Sequence, residues 1–135
     1  MLHAFLVLPA RHRLGRGKPP RLEDLAGEPF VAYSGDGRHR ELQFRALDLQ
    51  GIRPPRIVGA GSADPILALV AAGLGYSLVP AFARGPGQPG VAAFRFEEPR
   101  TDFPVLAMWR KSSAENPLVA AFLRAAPKER ARRAG

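Results

Sequence analysis

Short apolar runs alternate with segments of helical periodicity along most of the chain. Four runs rich in apolar residues have the length of strands and are bounded by proline, glycine or serine. They lie at residues 5–8, 30–33, 56–58 and 76–79. The continuous apolar run at residues 5–8 predicts a strand that is covered on both faces. A single helical turn is predicted at residues 22–25.

A first long helix is predicted over residues 38–50. Leu42, Ala46 and Leu49 are spaced so that they share one stripe of that helix. Gly51 follows the last turn, and glycine is the residue that most readily adopts the conformation that ends a helix. The segment therefore predicts a helix with one buried face.

Two further helices begin with the same signal. Asp64 and Pro65 predict an N-cap followed by the first helical residue, because the carboxylate accepts a helix amide and proline has no amide hydrogen to leave unpaired. Asn116 and Pro117 repeat that signal before a final helix, which ends before residue 127. The final helix is expected to bury Leu118, Ala121 and Phe122.

Two more strands are predicted at residues 91–96 and 105–109, joined by a polar stretch. The resulting order, β-α-β-α-β-α-β followed by β-β-α, is typical of an α/β fold with a mainly parallel sheet and helices on both faces. A length of 135 residues suits a single domain with a sizeable core.

The composition excludes several classes of protein. The chain contains no cysteine, which excludes disulfide frameworks, thiolate zinc sites and cysteine nucleophiles and fits a cytoplasmic location. No apolar run reaches the roughly 18 residues that a membrane span requires. The apolar opening at residues 2–9 has no basic segment before it and no small-residue cleavage site, so it predicts a strand rather than a signal peptide.

The net charge of +8 raises the question of nucleic-acid binding, because basic proteins attract phosphates. The basic residues are scattered over the beginning, the middle and the end of the chain, and arginine far outnumbers lysine. This distribution is more typical of a GC-rich coding bias than of a binding surface. Direct nucleic-acid binding is therefore the weaker hypothesis.

The sequence contains no recognisable catalytic or metal-binding pattern. His3, His12 and His39 stand in no metal-ligand or nucleophile spacing and are expected to be surface or loop residues. The segment Gly59–Gly61 resembles a dinucleotide-binding turn, but Asp64 takes the place of its third glycine and would repel a pyrophosphate. We expect no enzyme activity, no catalytic residue, no metal and no cofactor.

Two loops follow predicted strands at the edge where parallel α/β sheets collect ligands. One contains Tyr33 and Ser34, and the other contains Ser62 just before a helix N-terminus. Backbone amides and the helix dipole suit such a place to a carboxylate ligand. An ordinary capped helix without a ligand explains the same spacing equally well, and both interpretations remain open at this point.

A family resemblance emerges from motifs that span residues 5–125. The segment at 66–80, ILALVAAGLGYSLVP, resembles the "I..LVAAGLGI.LLP" pattern of LysR-type transcriptional regulators. Residues 5–14 resemble that family's strand and "HPLA"-like turn, with Arg13 in place of the usual proline. Residues 22–31 and 109–123 resemble its "L.DL...P.I" segment and its closing strand and helix. The chain is similar to the C-terminal part of their effector-binding (substrate-binding) domain.

The resemblance implies a periplasmic-binding-protein-like type II fold, with one nearly complete subdomain and the returning part of the other. Residues 1–126 would form a substrate-binding domain truncated at its N-terminal side. Residues 15–80 would belong to the second subdomain, residues 91–126 would return to the first, and residues 127–135 would form a charged flexible tail. The family's N-terminal winged helix-turn-helix and the opening half of the first subdomain have no counterpart in the sequence.

The resemblance also implies a function, namely the sensing of a small organic-acid or amino-acid-like effector within a cytoplasmic, homo-oligomeric regulator. Such a regulator reaches DNA only through its N-terminal domain and has no membrane partner. A solute-binding module of the same fold is the alternative. The positions that match the family's effector contacts are Leu8, Pro9, Tyr33, Ser34, Gly61, Ser62 and Ala63.

Overall fold

The computed structural model describes residues 2–35, 37–80, 88–103, 107–113 and 115–126. Its elements, in chain order, are β1 (Leu2–Pro9), a 3₁₀ turn (Leu22–Leu25), β2 (Phe30–Tyr33), α1 (Gly37–Leu49), β3 (Ile57–Ala60), α2 (Ala63–Ala71), β4 (Ser77–Pro80), β5 (Val91–Arg95), β6 (Asp102–Phe103), a second 3₁₀ turn (Lys111–Ser113) and α3 (Pro117–Ala125). Two compact units are present. One comprises Leu2–Phe103, and the other contains the described residues that follow.

The strands of the first unit run side by side in the order β3-β2-β4-β1-β5. β2 and β3 are parallel, and a parallel bridge between Phe30 and Tyr76 joins β2 to the start of β4. β1 is antiparallel to β4, β5 and β6, so β2, β3, β4 and β5 share one direction and β1 opposes them. The predicted parallel arrangement is confirmed for four strands and was wrong for β1. A parallel connection needs a crossover, and residues 10–29 form only one short 3₁₀ turn.

The core lies on both faces of the sheet because successive side chains of each strand point to opposite sides. On one face the strands pack against α1 and the first 3₁₀ turn, through Leu6, Leu8, Phe30, Leu78, Ala46, Leu47, Leu22 and Leu25. On the other face they pack against α2, through Val7, Val31, Val79, Ile66, Leu67 and Val70. The prediction of helices on both faces of a buried sheet is therefore confirmed.

Two local predictions in this unit differ from the structure. α2 begins at Ala63 with Ser62 as its N-cap, so the predicted cap at Asp64 was wrong by two residues. Asp64 instead lies in the first turn, where the positive end of the helix dipole stabilises its carboxylate. β6 lies within a stretch expected to be a connection, and a strand of two residues is too short to produce an apolar pattern.

The second unit contains α3, whose start is as predicted. The Asn116 side chain accepts a hydrogen bond from the amide of Leu118 at 2.9 Å. The predicted burial of Leu118, Ala121 and Phe122 was wrong, since all three are exposed in the described part of the chain. An apolar stripe identifies the face that a helix can bury, but it does not show that the same chain covers it.

Three further expectations concern the region after residue 103. Residues 107–109 of the predicted strand at 105–109 have no regular secondary structure, and residues 105 and 106 lie outside the described residues. The predicted tail at 127–135 also lies outside them. No helix in the described ranges is both long and apolar enough to cross a membrane.

Asp102 on β6 offers a test of pH dependence. Burial alone would raise the pKa of its carboxyl, but hydrogen bonds from Arg100 Nε at 2.7 Å and His3 Nδ1 at 3.1 Å outweigh it and hold the pKa below the ordinary value. A lowered folded-state pKa gives stability that is present above the unfolded pKa of about 3.9 and is lost as the pH falls through the lowered value. We expect Asp102→Asn to lose this pH-dependent part of the stability.

Urea unfolding followed by circular dichroism between pH 3 and pH 7 measures this loss. Asp48→Asn is the control, because Asp48 is an exposed carboxylate paired with the exposed Arg53. The assignment fails if the Asp102→Asn profile keeps the wild-type slope at acidic pH.

Candidate functional site

The carboxyl ends of β2 and β3 meet at one edge of the sheet and bring two short loops together. The amide of Ser34, just after β2, donates to the carbonyl of Ala60, the last residue of β3, at 2.9 Å. A Cβ placed on Gly35 would lie 3.6 Å from the carbonyl oxygen of Gly61, and one placed on Gly59 would lie 3.1 Å from the Cβ of Ser34. The two loops are therefore in direct contact.

The N-terminus of α2 opens onto this edge. Ser62 has an extended backbone, is exposed, and makes no hydrogen bond from its side chain to the helix it begins. Its carbonyl accepts the amide of Ile66 at 3.3 Å, and Pro65 has no amide hydrogen. Because the Ser62 side chain makes no hydrogen bond to the helix, its hydroxyl does not cap the amides of Ala63 and Asp64. Such a helix end attracts anions through its dipole and its amide hydrogens.

The first turns of α1 form another side of the same edge. The ring of His39 stacks on Tyr33 with 5.0 Å between ring centroids, and it lies 5.2 Å from the ring of Phe103. Arg40 Nη1 donates to the carbonyl of Tyr33 at 3.0 Å. His39 was expected to be a surface or loop residue, and Arg40 was not predicted to lie at this edge. A helix that begins four residues after β2 must pass close to the end of that strand, and this short spacing was the available signal.

Five of the seven residues proposed from the resemblance lie together at this edge. Tyr33 and Ala63 are buried and form its floor, whereas Ser34, Gly61 and Ser62 are exposed. The two exposed hydroxyls can donate hydrogen bonds, and they stand beside the uncapped amides of α2. Chemically, this arrangement suits the oxygens of a small anion such as a carboxylate.

Leu8 and Pro9 do not share this edge. In the antiparallel pair of β1 and β4, Ala4 is level with Pro80 and Val7 is level with Ser77. The far end of β1 therefore lies toward the start of β4, at the opposite edge of the sheet from the carboxyl ends of β2 and β3. Leu8 and Pro9 were grouped with Ser34 and Ser62 because of the family resemblance, whereas the register of β1 with β4 puts the two pairs at opposite edges of the sheet.

No group of three or more histidine, aspartate or glutamate side chains that could hold a metal ion occurs among the described residues. The donors that the structure does bring together at the edge are hydroxyls and backbone amides.

The sequence pattern of the LysR substrate binding domain matches residues 2–131. The HTH-type transcriptional regulator CysB of Burkholderia cenocepacia is 34% identical over 84 residues, which cover 62% of this chain and 27% of that protein. The chain thus spans about a quarter of the length of this curated relative.

Two solved structures show the same architecture. The effector-binding domain of BenM, in complex with its effector benzoate, is 25% identical with a TM-score of 0.64, over 74% of this chain and 48% of that one. HinK, a LysR family transcriptional regulator from Pseudomonas aeruginosa, is 20% identical with a TM-score of 0.74, over 91% of this chain and 43% of that one. These likenesses confirm the α/β fold class predicted from the sequence.

Proposed function

Because the chain belongs to the LysR substrate-binding domain family, we propose that it binds a small carboxylate effector for a transcriptional regulator. The site is the edge formed by the ends of β2 and β3 and the start of α2. It comprises Tyr33, Ser34, Gly61, Ser62 and Ala63. Leu8 and Pro9 are left out because they lie at the opposite edge of the sheet.

One observation carries this proposal. The exposed hydroxyls of Ser34 and Ser62 lie on loops that touch, beside a helix N-terminus that Ser62 does not cap. A carboxylate accepts hydrogen bonds from hydroxyls and amides and is attracted by the helix dipole. Benzoate, the effector in the BenM structure, is a carboxylate attached to an apolar ring.

The remainder of the proposed function concerns the intact regulator. It would act in the cytoplasm as a homo-oligomer and reach DNA through an N-terminal domain. An effector that binds one arrangement of the two subdomains more tightly than another shifts their equilibrium and so changes the activity of the regulator. The family match is to a regulator domain, and it favours this role over a solute-binding module.

Ser62→Asp is the sharpest test of the site. Aspartate is a favourable N-cap, so the variant should stay folded while it places a negative charge where the carboxylate would bind. We expect the Kd for benzoate to rise by at least about tenfold, or about 1.4 kcal/mol. Amide chemical shifts in an NMR titration measure this affinity, and in the wild type they should move at Ser34, Gly61 and Ser62.

Two controls accompany this titration. Ala26→Asp makes the same charge change at an exposed position that precedes β2, and its Kd should match the wild type. Benzamide has the same ring without the negative charge and should leave the amide shifts at the edge unchanged. The proposal is refuted if benzoate leaves the wild-type shifts at the edge unchanged or binds Ser62→Asp as tightly as the wild type.

A further inference from the structure

The backbone ladder between β2 and β4 stops short of the candidate site. The amide of Tyr76 donates to the carbonyl of Pro29 at 3.0 Å, and the amide of Val31 donates to the carbonyl of Tyr76 at 2.8 Å. Beyond this point a side chain from α1 joins the two strands. Gln43 Oε1 accepts the amide of Tyr33 at 2.9 Å, and Gln43 Nε2 donates to the carbonyl of Leu78 at 2.8 Å. The side-chain amide of Gln43 thus takes the place of a direct backbone hydrogen bond between β2 and β4.

Gln43 is completely buried, and both atoms of its amide have partners. Its Nε2 also lies 3.2 Å from Ser77 Oγ, and the Ser77 hydroxyl donates to the carbonyl of Val31 at 2.6 Å. Burying an amide is costly unless its hydrogen bonds are made, whereas an apolar side chain would fill the same space at no such cost. The amide is therefore suited to holding the strands together and not merely to filling the core.

Tyr33 is held by α1 at three points. Its amide bonds to Gln43, its carbonyl accepts from Arg40, and its ring stacks on His39. Tyr33 immediately precedes Ser34, one of the two serines of the site. The position of Ser34 relative to Ser62 therefore depends on α1, although the buried side of α1 packs in the core and not against the candidate site.

We propose that Gln43 is a positioning residue for the effector site. It fixes the end of β2, and through Tyr33 it keeps the Ser34 hydroxyl in place beside the N-terminus of α2. The affinity of the edge for a carboxylate is thus set partly from the buried face of α1. The part of this inference that concerns affinity rests on the proposed function, whereas the part that concerns the end of β2 does not.

Gln43→Glu tests the positioning role of Gln43, because the pH controls whether the introduced carboxyl is neutral or ionised. A neutral carboxyl can accept from the Tyr33 amide and donate to the Leu78 carbonyl, as the glutamine does, whereas an ionised carboxylate cannot donate. Burial favours the neutral form well above the ordinary glutamate pKa of about 4.3, so the variant should behave as wild type at pH 5. At pH 8 we expect its Kd for benzoate, relative to wild type at the same pH, to rise at least about tenfold.

Amide hydrogen exchange provides a second readout that needs no ligand. After correction for intrinsic rates, exchange at Tyr33 and Ser34 in Gln43→Glu should be at least about tenfold faster at pH 8 than at pH 5, relative to Val70 on α2. The raised folded-state pKa also implies stability that is present below about pH 4.3 and is lost as the pH rises through the folded value. Wild type should show no comparable change at these amides.

Two further variants separate positioning from folding. Gln50→Glu makes the same chemical change at a half-buried residue beyond the end of α1, and it should show no change between the two pH values. Gln43→Met keeps the volume but makes neither hydrogen bond, so it should bind benzoate more weakly and exchange faster at Tyr33 at both pH values. If Gln43→Glu unfolds at pH 8, the positioning role is still tested at pH 5. There the Kd for benzoate and the amide exchange at Tyr33 are compared between Gln43→Met and wild type.

The outcomes distinguish this inference from the proposed function. If wild type does not bind benzoate at the edge, the proposed function fails, and exchange at Tyr33 and Ser34 alone decides the role of Gln43. If wild type binds and Gln43→Glu binds equally well at pH 8, or if Gln43→Met matches wild type in both readouts, the positioning role is overturned.

Discussion

Gly75→Ala is expected to destabilise the Leu2–Phe103 unit by more than about 3 kcal/mol. Gly75 has a φ of +149°, a conformation that residues with a side chain rarely adopt. A Cβ at this position would lie only 2.2 Å from the carbonyl oxygen of Pro29. That oxygen accepts the amide of Tyr76 and so begins the pairing of β2 with β4. The substitution therefore forces apart the two strands that the Gln43 amide joins further along.

Urea unfolding monitored by circular dichroism measures this loss. Gly27→Ala is the matched control, because a Cβ there meets nothing within 4 Å and its φ is not positive. That control should remain within about 1 kcal/mol of wild type, since alanine in a compatible conformation is neutral or slightly stabilising. A loss of less than about 1 kcal/mol in Gly75→Ala would show that β2 and β4 can separate there without cost.

Most strands of the sheet and the first 3₁₀ turn were predictable because their signals are local. β2 consists of four consecutive buried residues between Pro29 and Ser34, and its predicted bounds are those of the structure. The start of α2 was less well determined. Serine and aspartate are both favourable N-caps, and the choice of Ser62 over Asp64 depends on the extended backbone that the turn after β3 imposes.

The direction of β1 could not be predicted from the sequence. A continuous apolar run has the same pattern whether the strand is parallel or antiparallel to its neighbours. The resemblance placed Leu8 and Pro9 with the site, and only the register with β4 shows that they lie at the other edge. The loops that contain Ser34 and Ser62 were identifiable because both follow strands that do share one direction.

Gln43 was missed although a signal for it was present. It precedes Ala46 and Leu47 by three and four residues, which places it on the same face of α1 as those buried side chains. A polar residue on the apolar stripe of a helix has two interpretations. It can be a buried side chain that makes hydrogen bonds in the core, or it can mark a place where the buried face ends. Its two backbone partners lie on different strands and are separated by 45 residues in sequence, from Tyr33 to Leu78. The sequence alone could not identify them.

Phe30→Ala is the second substitution with a large expected effect, a loss of about 3–5 kcal/mol in the free energy of unfolding. Phe30 is completely buried beside the bridge that joins β2 to Tyr76. Its ring makes edge contacts with Phe44 on α1 at 6.2 Å and with Tyr76 at 5.1 Å between ring centroids. Tyr76 is itself completely buried, and burial, followed by the charge of Glu28, raises the pKa of its hydroxyl.

Phe30→Leu separates the effect of lost side-chain volume on stability from the effect of the lost aromatic ring. Leucine keeps much of the buried area but none of the aromatic edge contacts, so its cost should be less than half that of alanine. Denaturant unfolding of the three proteins gives both values. Because Phe44 is adjacent to Gln43 on α1, the alanine variant should also speed amide exchange at Tyr33. Equal stability losses for alanine and leucine would show that the ring contacts between α1, β2 and Tyr76, rather than the filled volume, hold this side of the core together.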